Sequence, residues 1–526
     1  MHRVFLIEEI LHQIVEGLVN TRHAGAPDLV SFALTSKVIL ELALDSIWYT
    51  LPNISPVVRC FPRESELQGI KDTSGNRVST VFLRTTLTPQ EWERVLYYSR
   101  RIRVLGNRFH ENTHPILLET LKAAPQPLFP NLLSLKWPLP SSSHDDQGFL
   151  ETFLSSRLSH LIFDSSNTGL AIATLQMVPR APVQASLRTF KFRLTRNSDE
   201  SYADILPAYR AFLRSVEYLE ELDTCVHDHD TYIDIARLPN LWRLSADITT
   251  RLPCPSDLLS TVQSPFPRLQ RLCLRINTVD LTLFSCFLQL ARFDHLARIS
   301  MEIPPFSKFM TSHRDPGEDF PGLVSTIAKQ CSSEQLRRVR IVALLTGAFY
   351  NMFEEHPTIK PQDIAPLFKF KRMENFSLNV DWKLDFDNAT LETIVSSWPH
   401  LCCLSLAPRC NSRPPRMTLK GLQVLRVCPN LDWFGSSFVD DVSSPDSYES
   451  IDKDNLPIIP SISSLDVGIS EPTNYQNMAQ YLAALFPNLR HIQYESGAPI
   501  TYVPNPKWDG VKFLLNGGLE DADVIR

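Results

Sequence analysis

One phrase keeps returning along the chain: a proline, a polar residue, then apolar residues in the frame L-x-x-L-x-L. It reads FPNLLSLKW from Phe129, LPNLWRLSA from Leu238, FPRLQRLCL from Phe266, WPHLCCLSL from Trp398, CPNLDWFGS from Cys428 and FPNLRHIQY from Phe486. Weaker copies keep the frame without the proline: RLSHLIF at 157, SLRTFKF at 186, YLEELDT at 218, HLARISM at 295, QLRRVRI at 335, MENFSLN at 373 and SISSLDV at 461. Their first apolar positions form a ladder: Leu132, Leu158, Leu187, Leu219, Leu241, Leu269, Leu296, Leu336, Met373, Leu401, Leu431, Ile462 and Leu489. The steps run from 22 to 40 residues. Alternation within L-x-L sends the leucines to one face of a short strand. A single such unit cannot bury that face, so its neighbours must stack on it.

The period and the frame resemble leucine-rich repeats. The resemblance implies an α/β fold: a small N-terminal helical module, then an irregular leucine-rich-repeat solenoid with parallel strands on the concave side and helices on the convex side. Amphipathic stretches between the copies supply the helices: GFLETFLSS (148–156), TLFSCFLQLARF (282–293), ATLETIVSSW (389–398) and NMAQYLAALF (477–486). The turn-supporting Asn or Cys of the usual repeat is kept clearly only by Asn277, which predicts uneven turns. The expected divisions are a helical module at 1–55, a connecting segment at 56–95 packed on the first repeat, repeats over 96–494, and a cap or tail at 495–526. An acidic, Ser-rich insertion, VDDVSSPDSYESIDKDN, falls at 439–455.

At 526 residues the chain exceeds one compact core. Its 52 Lys and Arg against 58 Asp and Glu, with no polybasic arm, give no support for nucleic-acid binding. No apolar run reaches the roughly 18 residues of a membrane span, and Glu8 and Glu9 interrupt the N-terminus too early for a signal peptide. The ten cysteines are scattered through apolar runs, which suits reduced thiols in the cytosol or nucleus. HENTH (110–114) has the spelling of a zinc-protease helix, but Pro115 follows the second His and disfavours helix there; no third ligand follows at a recognisable spacing. HDHD (227–230) reads as a polar loop after a strand, and 17 glycines leave little material for a phosphate loop. No cofactor or metal is expected.

Residues 5–51 follow another grammar. FLIEEILHQIVEGL places Leu6, Ile10, Ile14 and Leu18 on one helical stripe; after NTRHAGAP, a second helix runs through DLVSFALTSKVILELALDSIWYTL with Asp28 as its cap. About 45 residues bury too little apolar surface alone, so the unit must dock on the repeats or offer a face to another protein. The segment resembles an F-box, carried by Leu6, Glu9, Ile10, Leu11, Ile14, Val15 and Leu18, then Asp28, Leu29, Ala33, Leu34, Ser36, Lys37 and Trp48, with Ile7 where the usual proline stands. With TPQEWERVLYYSRRIRVL (88–105) and FPNLLSLKW, the chain is similar to the F-box proteins with degenerate leucine-rich repeats of mushroom-forming fungi. That resemblance implies a substrate receptor of an SCF-type ubiquitin ligase, with no catalysis of its own. Leu6, Glu9, Ile10, Ile14, Leu18, Leu29, Ala33, Leu34, Lys37 and Trp48 would bind a Skp-type adaptor, and through it a cullin-RING ligase. The repeats would hold a protein target. The alternatives are a repeat scaffold with no ubiquitin role, or a helical cap that binds nothing.

In each copy the residue just before the second apolar position points outward. Those residues are Ser134, His160, Thr189, Glu221, Arg243, Arg271, Arg298, Arg338, Asn375, Cys403, Trp433, Ser464 and His491. Four consecutive copies carry Arg there, with Arg275 and Arg340 on neighbouring outward positions. Forked guanidinium donors suit carboxylates and phosphates, so this stripe is expected to hold an acidic or phosphorylated target segment. The competing reading is a solvated strand face neutralised by acids such as Asp247 and Glu302.

Overall fold

The computed structural model describes residues 8–20, 26–61, 87–106, 120–125, 127–138, 150–165, 168–194, 200–250, 252, 264–278, 280–303, 316–343, 358–380, 382–406, 415–442, 456–494 and 505–515. They form two compact units, Met1–Thr224 with Leu238–Leu241, and Cys225–Arg237 with Trp242–Arg526. HENTH, Leu6, Ile7 and most of the acidic insertion lie outside the described residues.

The first unit opens with α1 (Glu8–Asn20), α2 (Ala26–Ala33) and α3 (Lys37–Tyr49). The expected single helix from Asp28 is two helices. Thr35 closes α2 by donating from both its Oγ1 (2.7 Å) and its backbone N–H (3.1 Å) to the Phe32 carbonyl. Asp28 sits within the first turn of α2, which starts at Ala26. Leu11, Val15, Leu29, Ala33, Ile39 and Ala43 are buried within the unit. The α1 stripe has therefore turned toward Leu11 and Val15, leaving Ile10, Ile14 and Leu18 half-buried.

Strand β1 (Thr50–Leu51) follows α3 directly. After α4 (Ser55–Val58), α5 (Pro89–Ser99) starts with Pro in its first turn and a reciprocal cap: the Glu91 N–H donates to Thr88 Oγ1, and the Thr88 N–H to the Glu91 carboxylate. Then come β2 (Val104–Leu105), β3 (Ser134–Pro138), β4 (His160–Ser165), β5 (Thr189–Leu194) and β6 (Glu221–Val226). The second unit continues with β7 (Arg243–Ile248), β8 (Arg271–Ile276), β9 (Arg298–Ile303), β10 (Arg338–Ala343), β11 (Thr358–Ile359), β12 (Asn375–Val380), β13 (Lys383–Leu384), β14 (Cys403–Leu406), β15 (Trp433–Ser436), β16 (Ser464–Asp466) and β17 (His491–Gln493). Within each unit the strands pair in parallel and in chain order, except that β11 and β13 pair with each other.

The repeated phrase now has a physical meaning. All thirteen ladder residues from Leu132 to Leu489 are buried. In five of the six proline copies the phrase is a β-turn with Pro second: the carbonyls of Phe129, Phe266, Trp398, Cys428 and Phe486 accept from the leucine N–H three residues on, at 3.0–3.2 Å. In the copies reading Pro-Asn, three asparagines tie one repeat to the one before. Asn131 Nδ2 donates to Arg100 O (2.8 Å), Asn240 Nδ2 to Glu217 O (3.1 Å) and Asn488 Nδ2 to Pro460 O (2.8 Å). Asn277 does not do this work; it is exposed and makes no side-chain hydrogen bond among the described residues.

Most strand starts are alike. The carbonyl just before one strand accepts two successive N–H groups at the start of the next: Trp242 O from Gln270 and Arg271, Gln270 O from Ala297 and Arg298, Ala297 O from Arg337 and Arg338, at 2.9–3.0 Å. The inward side chains meet helices Thr168–Met177 and Glu200–Ser215 in the first unit. In the second unit those helices include Thr282–Gln289, Pro316–Gln330, Asn388–Ser397 and Tyr475–Leu485. Thr282–Gln289, Asn388–Ser397 and Tyr475–Leu485 lie close to predicted stretches, Pro316–Gln330 is not among them, and the described part of GFLETFLSS is helical only at residues 150–151. Aromatic contacts join the layers, as in Phe190 with Phe212 (4.4 Å between centroids) and Phe376 with Trp398 (5.0 Å). Helix Pro506–Leu515 closes the C-terminal side through buried Trp508, whose Nε1 donates to Ser470 O (2.8 Å). This is the α/β leucine-rich-repeat fold.

The two layers of this design differ in worth. Leu132→Ala should destabilise the first unit by about 2–5 kcal/mol, because a closed core keeps the cavity. Asn131→Ala removes one exposed tie and should cost about 1 kcal/mol. Urea unfolding of the two variants beside the parent checks the order.

Candidate protein-interaction surfaces

The helical module is fixed to the first strands by one buried guanidinium. Arg101, at the end of α5, has a side chain only 5% exposed, and it ion-pairs with both Glu41 and Asp45 of α3. Tyr97 donates to Glu41 at 2.5 Å, and the Arg101 guanidinium lies 4.7 Å from the Tyr97 ring centre. Burial opposes the charge on Arg101, but the hydrogen bonds it donates to Glu41 and Asp45 hold its pKa above the ordinary value. The Tyr97 hydroxyl and Arg101 hold Glu41 below the usual carboxylate range. Trp48 stacks on Tyr98 at 4.6 Å, and the Arg103 N–H donates to Tyr49 O (3.0 Å). Beside it, Gly106 runs so close to β1 that a Cβ would meet Pro52 O at 3.2 Å.

The expected adaptor-binding residues separate by exposure. Leu29 and Ala33 are in the module's core, and Trp48 is engaged with Tyr98, so these shape the module. Glu9, Lys37 and Leu34 face solvent, with Ile10, Ile14 and Leu18 half-buried beside them. Leu34 is 78% exposed, and Val30, four residues earlier, is 45% exposed. The sequence reading missed Val30; its i, i+4 spacing from Leu34 was the available signal.

On the second unit, Arg243, Arg271, Arg298 and Arg338 stand in direct register across β7 to β10. Asn375, Cys403, Trp433, Ser464 and His491 continue the same row. The six expected target-binding arginines form two groups. Arg275 pairs with Asp247 and donates to Ser245 Oγ (2.8 Å), and Arg340 lies 3.3 Å from Glu302, so the acids named from the sequence do neutralise these two. Arg338 reaches Glu374 at 3.5 Å. Among the described residues no carboxylate comes within ion-pair distance of Arg271 or Arg298. Arg271 lies over the Trp242 ring instead, at 4.9 Å. Burial, then the neighbouring charges of Arg338 and Arg271, pull Arg298 below its ordinary pKa. Like charges about 5 Å apart repel by about 1–3 kcal/mol per pair at surface-like dielectrics, so positive charge concentrates at Arg271 and Arg298, while Glu374 offsets it at Arg338.

Two neighbouring features complete the surface. An open hollow of about 360 Å³ lies at the starts of β10, β12 and β14, lined by Arg337, Arg372, Glu374, His400, Cys402 and Asn430. Gly435 lies under Trp433, where a Cβ would come within 2.5 Å of the indole ring. HDHD, expected as a loop, is a helix start: Asp228 caps His229–Ala236 by accepting from the Thr231 N–H (2.8 Å), and His227 Nδ1 bonds Thr249 Oγ1 (2.7 Å).

No family model and no curated protein matches the chain. Among solved structures it is similar to the crystal structure of the yeast Rad7 and Elc1 complex, at 13% identity over 78% of this chain and 77% of that one, with a TM-score of 0.35. It is also similar to an internalin from Listeria monocytogenes, at 11% identity over 85% and 98%, with a TM-score of 0.32. A third is the plant peptide hormone receptor RGFR1 in complex with RGF2, at 11% over 76% and 60%, with a TM-score of 0.29. These likenesses are too weak to carry function, and the fold rests on the strand register itself. No described helix is long and apolar enough to cross a membrane.

The Arg101 cluster makes a signed prediction. Glu41→Gln with Asp45→Asn strands a buried guanidinium and should cost about 3–5 kcal/mol. Arg101→Met leaves two solvent-reached carboxylates and should cost less, about 1.5–3 kcal/mol. Because the folded pKa of Glu41 is depressed, its contribution is complete above its ordinary value of 4.5 and is lost as pH falls through the lowered one. Acid-side melting curves of the parent and of Glu41→Gln should therefore converge as pH falls below about 4.

Proposed function

We propose that this chain is the substrate-recognition subunit of an SCF-type ubiquitin ligase: the helical module binds a Skp-type adaptor and the repeats hold the target protein. The observation that carries the reading is the exposed apolar pair Val30 and Leu34, on a module with a buried core and tied to the first strands through Arg101. Water-facing side chains of this kind on a small helical unit suit a partner that covers them. The resemblance of residues 5–50 to an F-box gives the partner's class. The chain makes and breaks no bond in this reading; transfer of ubiquitin belongs to the cullin-RING ligase and its partners. A second reading, a leucine-rich scaffold with no ubiquitin role, is favoured by Ile7 in the place of the usual proline.

The test is co-purification with a Skp-type adaptor from the same organism. Removing residues 1–55 would also remove β1 and both partners of Arg101, so point variants are the sounder choice. Val30→Asp with Leu34→Asp alters exposed positions, should leave the melting temperature near that of the parent, and should weaken adaptor binding by about tenfold or more. An intact, folded chain that captures no adaptor would leave the scaffold reading standing.

A further inference from the structure

The arginine row has a direction as well as a charge. Its four members are rooted one per strand on β7, β8, β9 and β10, so a ligand that meets them all must run across the strands. Adjacent rungs are about 4.8 Å apart and alternate rungs about 9.6 Å. A peptide in the polyproline II conformation rises about 3.1 Å per residue with three residues per turn, which returns a side chain to the same face every 9.3 Å or so. That interval matches two rungs. A β-strand returns a side chain to one face every 6.7 Å or so, which fits neither one rung nor two.

We infer that the row from Arg243 to Arg338 holds an extended acidic peptide crossing the strands, with an anionic side chain at every third residue. The inference deepens the target-holding half of the proposed function and rests on it. Charge complementarity selects the occupant. Among the described residues Arg271 and Arg298, at the centre of the row, have no carboxylate within ion-pair distance, whereas the surroundings are fenced. Glu374 stands on one side of the row, with Asp247 and Glu302 on the other, each holding an arginine outside or at the end of it. A single narrow anionic chain fits between those acids. A nucleic-acid duplex, with two rails of phosphate, would press against them, and the chain's net charge of −6 offers it no wider basic field. Carboxylates and phosphates share the chemistry that a guanidinium fork accepts.

The experiment uses the purified full chain without any adaptor, so its outcome is independent of adaptor capture. Fluorescence anisotropy would follow a labelled Pro- and Ser-based peptide with Glu at every third position, its phosphoserine counterpart, a peptide with the same acids in one block, and a single-stranded oligonucleotide. Binding of either spaced peptide, stronger than of the block peptide and weakened by salt, supports the inference; preference between Glu and phosphoserine assigns the source of the charge. Arg271→Glu with Arg298→Glu should weaken spaced-peptide binding by about tenfold or more, and Arg271→Met with Arg298→Met, which keeps much of the stem length, should follow it. Arg275→Gln with Arg340→Gln, outside the row, should change it by about threefold or less. Unchanged binding by a folded Arg271/Arg298 variant, equal binding of the block peptide, or tighter binding of the oligonucleotide would each overturn the inference.

Discussion

The hydrogen bond that the structure depends on is a shared one. At strand after strand, a single carbonyl receives two consecutive N–H groups from the next rung, and this pairing fixes where each strand begins relative to its neighbour. A slip of one residue would turn every leucine of that rung outward. Because the tie is made by backbone N–H groups, it tolerates any residue but proline at the two donor positions. That is why Gln270–Arg271, Ala297–Arg298 and Cys402–Cys403 all serve. It also lets the intervening loops and helices vary from 22 to 40 residues per repeat without disturbing the rows.

Charge is handled in two opposite ways on this frame. At Arg101 a buried guanidinium is matched by Glu41 and Asp45, and the result is a fixed joint between helices and strands. Along β8 and β9 the guanidiniums of Arg271 and Arg298 are rooted side by side without such matching among the described residues. The first arrangement meets its charge with two carboxylates, whereas the second meets none among the described residues. A surface of the second kind can steer and select a ligand of opposite charge.

Much of this was legible in the chain. The outward row read from Ser134 to His491 is the register observed within each unit, because L-x-L alternation in a stacked strand allows no other assignment once the leucines are buried. Four things were not legible. The earliest rungs, Thr50–Leu51 and Val104–Leu105, are two residues long, too short for a period to register. The break after α2 depends on Thr35 turning back to Phe32, while the apolar spacing runs straight through it. HDHD reads as loose polar text until the strand before it shows that Asp228 stands at a helix start. Asp247 and Glu302 were legible as neutralising acids, but which arginine each one holds was not, because that depends on which acid lies one strand away, a property of register rather than of local sequence.

The outward row has a bearing on how such a chain can change over time. Its members occupy the solvent side of strands whose starts are set by backbone and whose cores lie on the opposite face. Asn375, Cys403 and Ser464 are half-buried there, outside the leucine core. A rung can be rewritten without disturbing the leucines behind it, though some rungs touch their neighbours, as Arg338 does Glu374. A lineage carrying this fold can diversify what it recognises position by position, each step tolerated before it is useful. The scaffold would meanwhile drift only in the lengths of its loops.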